Sequence, residues 1–288
     1  MKTLSLLKKT ISTELPAFVM GIVNATPDSF YEKSRGGIDA ALKMIDEGAD
    51  ILDIGGESTR PFSSYVDEDE EISRVIPLIK KIRAYSDIPI SVDTRKSAVM
   101  KIAFNEGADI LNDVSALNDD EKTIELCARF GFPVILMHMN GNPSVMQKKE
   151  NIACDDVFEK VNEYLEERAR FAIQNGIKSE KIIVDPGIGF GKNIAADFSL
   201  VKNCGNLCEG KYPVLIGLSR KSCIGGVTDR SVEERLAGTI CANVLAVLNG
   251  ASIIRVHDVK EARDSLLILN AIENNVCLQK EKSAIKPS

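Results

Sequence analysis

Residues 47–54 read EGADILDI, residues 106–113 read EGADILND, and residues 249–256 read NGASIIRV. Each stretch is a glycine, a small residue and then an apolar run. A glycine just past an amphipathic segment ends a helix, because it takes the left-handed backbone conformation without strain. The near-continuous apolar run that follows is what a strand buried on both faces requires. Three copies of this helix-to-strand junction predict a parallel sheet with helical crossovers.

Working outward, short runs rich in Val and Ile occur eight times. They span 18–24, 50–55, 88–93, 108–113, 132–139, 181–187, 212–219 and 251–257. Amphipathic segments lie between them. DAALKMIDEGA stops at Gly48, and EDEEISRVIPLIKKIRAY opens on acids that favour a helix N-terminus. SVEERLAGTICANVLAVLNG, residues 231–250, starts with a Ser231–Glu234 capping box, and DVKEARDSLLILNAI repeats the device with Asp258 and Glu261. The acidic run 67–71 reads as a capped, solvated helix start. Eight β–α units without a linker predict an α/β protein of one domain, a (β/α)8 TIM barrel over 17–278. Residues 1–16 form an N-terminal extension and 279–288 a flexible C-terminal tail. A doubly wound open sheet is the alternative, and the count of eight favours the barrel.

The composition excludes several classes of function. The net charge is −6 and no basic stripe occurs, which argues against nucleic acid. No apolar run approaches a membrane span, and the opening MKTLSLLKK is too short for a secretory signal. The 7 cysteines form no CxxC pair and no cluster, so they read as free thiols in a reducing, cytoplasmic setting.

In a barrel the chemistry gathers where strands end. The eight runs end in Asn24; in GGESTRP; in Asp93; in Asn112–Asp113; near His138; in Asp185 before PGIGFGK; in LSRKS; and in Arg255 and His257. Any one of Asp93, Asn112 and Asp185 suits a strand end for structural reasons alone. His138 reads as a satisfied, partly buried histidine. GIGFG lacks the full spacing of a dinucleotide fingerprint. Together, however, the ends form two sets. Asp93, Asn112 and Asp185 are acceptors and amides. Arg60, Lys221, Arg255 and His257, with the hydroxyls of Ser58, Thr59 and Ser219, are receptors for an anion. A flat, donor-rich head with a phosphate or pyrophosphate tail fits both sets.

Seven segments, MGIVNATPDSF, DIGGESTRP, ISVDTRK, ILNDVSAL, DPGIGFGK, GLSRKSCIG and RVHDV, resemble in order and spacing the motifs of the dihydropteroate synthase family. The resemblance covers about residues 18–275. It implies the barrel fold and a transferase step of folate biosynthesis, in which 6-hydroxymethyl-7,8-dihydropterin pyrophosphate and p-aminobenzoate give 7,8-dihydropteroate and pyrophosphate. It also implies a Mg²⁺ cofactor, a homodimer and a target for sulfonamide analogues of p-aminobenzoate. Carried over by position, Asp93, Asn112, Asp185 and Lys221 hold the pterin. Thr59, Arg255 and His257 meet the pyrophosphate, and Asn24 ligates the metal. Thr59, Arg60, Pro61, Phe190, Ser219 and Lys221 line the p-aminobenzoate side, while Arg255, His257 and Lys221 serve the reaction itself.

The chain departs from the family pattern at Phe62, at Cys223, in the longer first loop SFYEKSRGG, and in NIAADF after Lys192. Phe62 and Cys223 bear on the p-aminobenzoate side. Two rivals remain. A methyltetrahydrofolate–corrinoid methyltransferase would share Asp93, Asn112 and Asp185 but needs no pyrophosphate receptor. A catalytically silent pterin-binding paralogue would bind pterin without turnover.

Overall fold

The computed structural model describes residues 1–25, 36–57, 65–141 and 156–274. A hairpin of β1 (Lys2–Ser5) and β2 (Thr10–Thr13) precedes β3 (Phe18–Asn24), α1 (Gly36–Asp46), β4 (Ile51–Gly55) and α2 (Glu68–Arg83). Then come β5 (Ile90–Asp93), α3 (Ser97–Asn105), β6 (Ile110–Asp113), α4 (Glu121–Phe130), β7 (Val134–Met137) and α5 (Val157–Gln174). The chain finishes with β8 (Ile182–Asp185), α6 (Ile194–Asn203), β9 (Leu215–Ile216), α7 (Ser222–Thr228), α8 (Leu236–Leu248), β10 (Ile253–Val256) and α9 (Val259–Asn274).

Strands β3 to β10 form one eight-stranded sheet in the order β8-β7-β6-β5-β4-β3-β10-β9, every pairing parallel. A parallel bridge between Val184 and Val214 joins the two ends of that order, with the Val184 N–H donating to the Pro213 carbonyl at 3.0 Å. The sheet is thus a (β/α)8 barrel, as the eight runs predict.

Alternation along each strand sorts its side chains into two cores. Phe18, Met20, Ile51, Ile110, Ile135, Ile183, Leu215 and Ile253 pack together as one buried cluster along the barrel axis. Their neighbours of opposite parity, among them Val19, Leu52, Val92, Leu111, Leu136, Val184 and Ile254, pack with the helices in the larger outer core. Leu4 and Leu6 of the hairpin join the inner cluster and are 3% and 2% exposed. The N-terminal segment, silent in sequence terms, therefore plugs the end of the barrel where the strands begin. Three lysines fasten it there. Lys2 Nζ donates to the Ala251 carbonyl at 3.1 Å, Lys9 Nζ to the Asp87 carbonyl at 2.8 Å, and Lys181 Nζ to the Leu6 carbonyl.

Two local expectations change. The segment 231–250 is not one helix. Ser231 and Glu234 do form the capping box, but around a single 3₁₀ turn, Val232–Glu234, and α8 begins only at Leu236. The acidic start of α2 is capped by Asp67, which accepts from the Glu70 N–H at 2.8 Å. Glu71, in the same run, is not solvated. It is fully buried, with Oε2 2.5 Å from Lys96 Nζ.

Because Leu6 fills the barrel floor, Leu6→Ala should destabilise the protein by about 2–5 kcal/mol, the usual cost of emptying a leucine site. Urea denaturation would measure it, and a loss below about 0.5 kcal/mol would mean that the hairpin is only draped over the barrel.

Candidate active site

The inner parity that gives an apolar floor gives a polar ceiling two residues further along. After Ile51 comes Asp53, after Ile110 Asn112, after Ile183 Asp185 and after Ile253 Arg255. Asp93 follows Ser91 in the same phase on β5. Strand registers thus aim these side chains into one space at the C-terminal end of the barrel.

Arg255 is the centre of this group. Its Nε donates to Asp53 Oδ2 at 2.6 Å and one terminal nitrogen donates to Asp93 Oδ2 at 3.1 Å. Asn112 Nδ2 also donates to Asp53 Oδ2, at 3.1 Å. Asp53 is fully buried, and its other oxygen has no hydrogen-bond partner. It is the residue the strand-end reading passed over. The signal was present, since a lone aspartate interrupts the apolar run ILDIG in the phase of Ile51.

Two carboxylates share one guanidinium, so with both ionised the group would carry one negative charge in excess. Burial, then the Asp53 charge, push the Asp93 carboxyl up to about 8, and Arg255 offsets only part of this. Burial likewise raises Asp185, against the pull of Lys221. One Asp185 oxygen accepts the Gly187 N–H at 2.7 Å.

Lys221 stands at the start of α7. Its ammonium donates to the Ile188 carbonyl and lies 4.5 Å from the centre of the Phe190 ring. Burial lowers its pKa, while Asp185 and Asp197 act in the opposite sense. His257 and Ser219 meet across the ends of β10 and β9. Ser219 Oγ accepts the His257 main-chain N–H at 3.2 Å and lies 2.9 Å from Nδ1. The hydroxyl can give its own proton to Nδ1, which leaves Nε2 carrying the ring N–H, a donor suited to an anionic oxygen.

Asn24 ends β3, paired in register with Gly55, and is exposed. Among the described residues no group of three His, Cys, Asp or Glu side chains could hold a metal ion. Ser58, Thr59, Arg60, Pro61 and Phe62 lie outside the described residues. The nearest described residues before and after them, Glu57 and Tyr65, both meet Lys96, whose Nζ is 2.5 Å from Glu57 Oε2 and 4.6 Å from the centre of the Tyr65 ring. His138 is partly buried and neutral, its pKa lowered to about 3 by burial and then by Lys192. It packs edge-on to Tyr164, but its Nδ1 has no partner, so it is not the fully satisfied histidine expected. Cys223 is buried in α7, and burial pushes its thiol up to about 11, which makes it an apolar filler rather than a nucleophile. Of the other described cysteines, Cys127, Cys204 and Cys208 are buried and Cys241 is exposed, all as free thiols.

The carboxyl groups and the amide gathered here can take the N–H groups of a planar heterocycle. The imidazole, the hydroxyl and the remaining guanidinium N–H groups can take oxyanions.

The raised Asp93 carboxyl makes a prediction about stability. Native Asp93 holds its proton more tightly than the unfolded chain, whose carboxyl titrates near 3.8. Between about 4 and 8 unfolding releases that proton, so stability falls as pH rises through this window. Asp93→Asn removes the effect. Without ligand, the variant should gain on wild type by on the order of 1–3 kcal/mol between pH 5 and pH 8. Urea denaturation at the two pH values checks this, and parallel curves would show that Arg255 holds Asp93 ionised throughout.

Residues 20–257 match the family model of pterin binding enzymes. Dihydropteroate synthase of Escherichia coli is 44% identical over 261 residues, covering 88% of this chain and 90% of that protein. The structure of Xanthomonas albilineans dihydropteroate synthase with 4-aminobenzoic acid superposes with a TM-score of 0.86 at 40% identity, covering 94% of this chain and 98% of that one. That of the Yersinia pestis dihydropteroate synthase with a sulfonamide drug gives a TM-score of 0.87 at 36% identity, covering 95% of this chain and 100% of that one. With a family match over most of the barrel and relatives aligned nearly end to end, the chain belongs to the pterin-binding enzymes and, among them, to the dihydropteroate synthase family.

Proposed function

We propose that the chain condenses 6-hydroxymethyl-7,8-dihydropterin pyrophosphate with p-aminobenzoate, giving 7,8-dihydropteroate and pyrophosphate. The observation that carries this reading is the convergence of Asp93, Asn112, Asp185, Lys221, Arg255 and His257 at one end of the barrel, in a chain whose relatives are dihydropteroate synthases. A corrinoid-dependent methyltransferase has no use for the Arg255–His257 pair.

In this reading Asp185, Asn112 and Asp93 receive the amino and ring N–H groups of the pterin. A carboxylate buried without such a partner is costly, so the site selects a donor-rich head. The bond between the pterin methylene carbon and the pyrophosphate oxygen breaks, and the electron pair leaves with pyrophosphate. Arg255 and the His257 Nε2–H stabilise the charge that develops there, together with Thr59. The methylene cation is stabilised by the ring and by the carboxylates around it. The aniline nitrogen of p-aminobenzoate, held among Thr59, Arg60, Pro61, Phe190, Ser219 and Lys221, attacks with its lone pair and then loses a proton.

The residues fit a Mg²⁺ ion that arrives with pyrophosphate rather than one held by protein alone. Asn24 offers one hard amide oxygen, and no acidic cluster stands beside it among the described residues. When bound, the ion would neutralise the leaving oxygens, with Asn24 as its protein ligand. Exposed apolar side chains support a homodimer. Leu245 and Leu248 on α8, and Ile268 and Ile272 on the adjacent α9, are 50–70% exposed. No described helix is long and apolar enough to cross a membrane, and the buried free thiols suit a reducing cytoplasm. Sulfonamides would compete for the p-aminobenzoate side.

The test is pyrophosphate release from the pterin pyrophosphate with Mg²⁺, with and without p-aminobenzoate. Release that requires p-aminobenzoate, with dihydropteroate formed in step, is the expected result. Tight pterin binding without turnover would favour the silent paralogue. Asp185→Asn presents an amide donor where the pterin N–H groups need an acceptor. It should weaken pterin binding by about 2–4 kcal/mol, roughly 30- to 1000-fold. Calorimetric titration measures this, and near-normal affinity would remove Asp185 from the pterin site.

A further inference from the structure

The loop after β8, Gly187 to Lys192, raises a question that the proposed reaction does not answer. It ends in a buried lysine, 6% exposed, which is not among the residues assigned to substrate. All the hydrogen bonds of Lys192 Nζ go to main-chain carbonyls, those of Gly187 at 2.8 Å, Phe190 at 3.2 Å and His138 at 3.3 Å. Burial lowers its pKa to about 7, against the pull of Asp197 and Asp185, but three acceptors call for three protons, so the geometry suits the ammonium, each of whose protons has a carbonyl.

The loop is shaped to deliver those carbonyls. Gly187, Gly189 and Gly191 have φ of +66°, +78° and +68°. A side chain at Gly187 would run into the His138 carbonyl, and one at Gly191 into the Asn140 carbonyl. The loop after β8 therefore lies directly against the end of β7. The Asn140 N–H also reaches the Phe190 carbonyl at 3.4 Å. Inside the loop the polarity is sorted. The Gly187 and Gly189 N–H groups donate to the carboxylates of Asp185 and Asp197, each at 2.7 Å. The carbonyls of Gly187 and Phe190 go to Lys192, and that of Ile188 to Lys221. Apart from the Phe190 N–H, which closes a turn on the Gly187 carbonyl at 3.1 Å, these amides meet acids and these carbonyls meet ammoniums, the reverse of a glycine loop that turns its amides toward a phosphate.

Phe190 lies in this ring. Its carbonyl is held by Lys192, and its aromatic face lies against the Lys221 ammonium. Asp185 shares Gly187 and His138 with Lys192, through the Gly187 N–H on its carboxylate at 2.7 Å and the His138 N–H on its carbonyl at 3.0 Å, but it also stands in β8, which is paired with β7. Phe190 stands outside any strand, its main chain held otherwise by its own N–H on the Gly187 carbonyl at 3.1 Å and by the long Asn140 contact, so loss of the Lys192 ammonium would loosen Phe190 more than Asp185.

We propose that Lys192 is a positioning residue for p-aminobenzoate, acting through the main chain of Phe190 and leaving the pterin side largely untouched. The proposal rests on the proposed synthase reading, and wild-type turnover with p-aminobenzoate tests that reading independently. Lys192→Met keeps the length of the side chain and removes its donors. Its KM for p-aminobenzoate should rise about 10-fold, with pterin affinity within about 2-fold of wild type. Because the effect passes through Phe190, it should vanish once the ring is gone. The double variant Lys192→Met/Phe190→Ala should have a KM within about 2-fold of Phe190→Ala alone.

Additive effects, or parallel losses in pterin affinity and KM with a lowered Tm, would make Lys192 a general structural residue and overturn the proposal. An unchanged KM in an active, folded Lys192→Met would also overturn it. If the methionine variant does not fold, Lys192→Gln, which keeps two donors on a shorter stem, enters the same cycle with the same criteria.

Discussion

The guanidinium of Arg255, set between the carboxylates of Asp53 and Asp93, is the interaction on which the candidate site depends. It lies at the boundary between the apolar floor of the barrel and its open end. Removing one member of a buried ion group costs about 3–5 kcal/mol, because the charge left behind has neither water nor partner. Two acids on one base cannot both ionise cheaply, so Asp93 keeps its proton near neutral pH. A cationic or donor-rich neighbour would favour its ionised form, which ties the charge of this group to what binds beside it.

The barrel supplies the rigidity this requires. Four strands each place one polar side chain two residues beyond an inner apolar one, so the floor cluster sets the position of the ceiling group. The N-terminal hairpin completes that floor from below. A segment with no part in the chemistry thereby supports the strand ends that carry it, through Leu4, Leu6 and three lysine-to-carbonyl contacts.

Around this group the loops are held by ammonium ions rather than by apolar packing alone. Lys192 gathers carbonyls from the ends of β7 and β8, and Lys96 joins Glu57 to the buried Glu71. Such contacts are directional, so they define where a loop sits. A carbonyl-lined ring with the Gly187 and Gly189 amides turned to Asp185 and Asp197 also explains why GIGFGK is no dinucleotide fingerprint: those two amides are already engaged by the protein's own acids.

The barrel was legible in the sequence because buried strands and glycine-ended helices leave local marks: eight apolar runs and three repeated junctions. Asp93, Asn112, Asp185, Arg255 and His257 were legible for the same reason, as polar residues that end apolar strands. Asp53 leaves a mark too, a lone aspartate inside an apolar run, but its mid-strand position says nothing of a partner 202 residues away. The helix from Ser231 was overextended because a capping box signals a start without giving the length of the turn it caps. Burial of Glu71 and the three carbonyls on Lys192 depend on how separate loops meet. Sequence by itself determined the periodicities, hence the fold and the parity of each strand. Only the tertiary structure decided which charges share a proton or a carbonyl, because those contacts join residues distant in the chain and their strength depends on burial that no local pattern encodes.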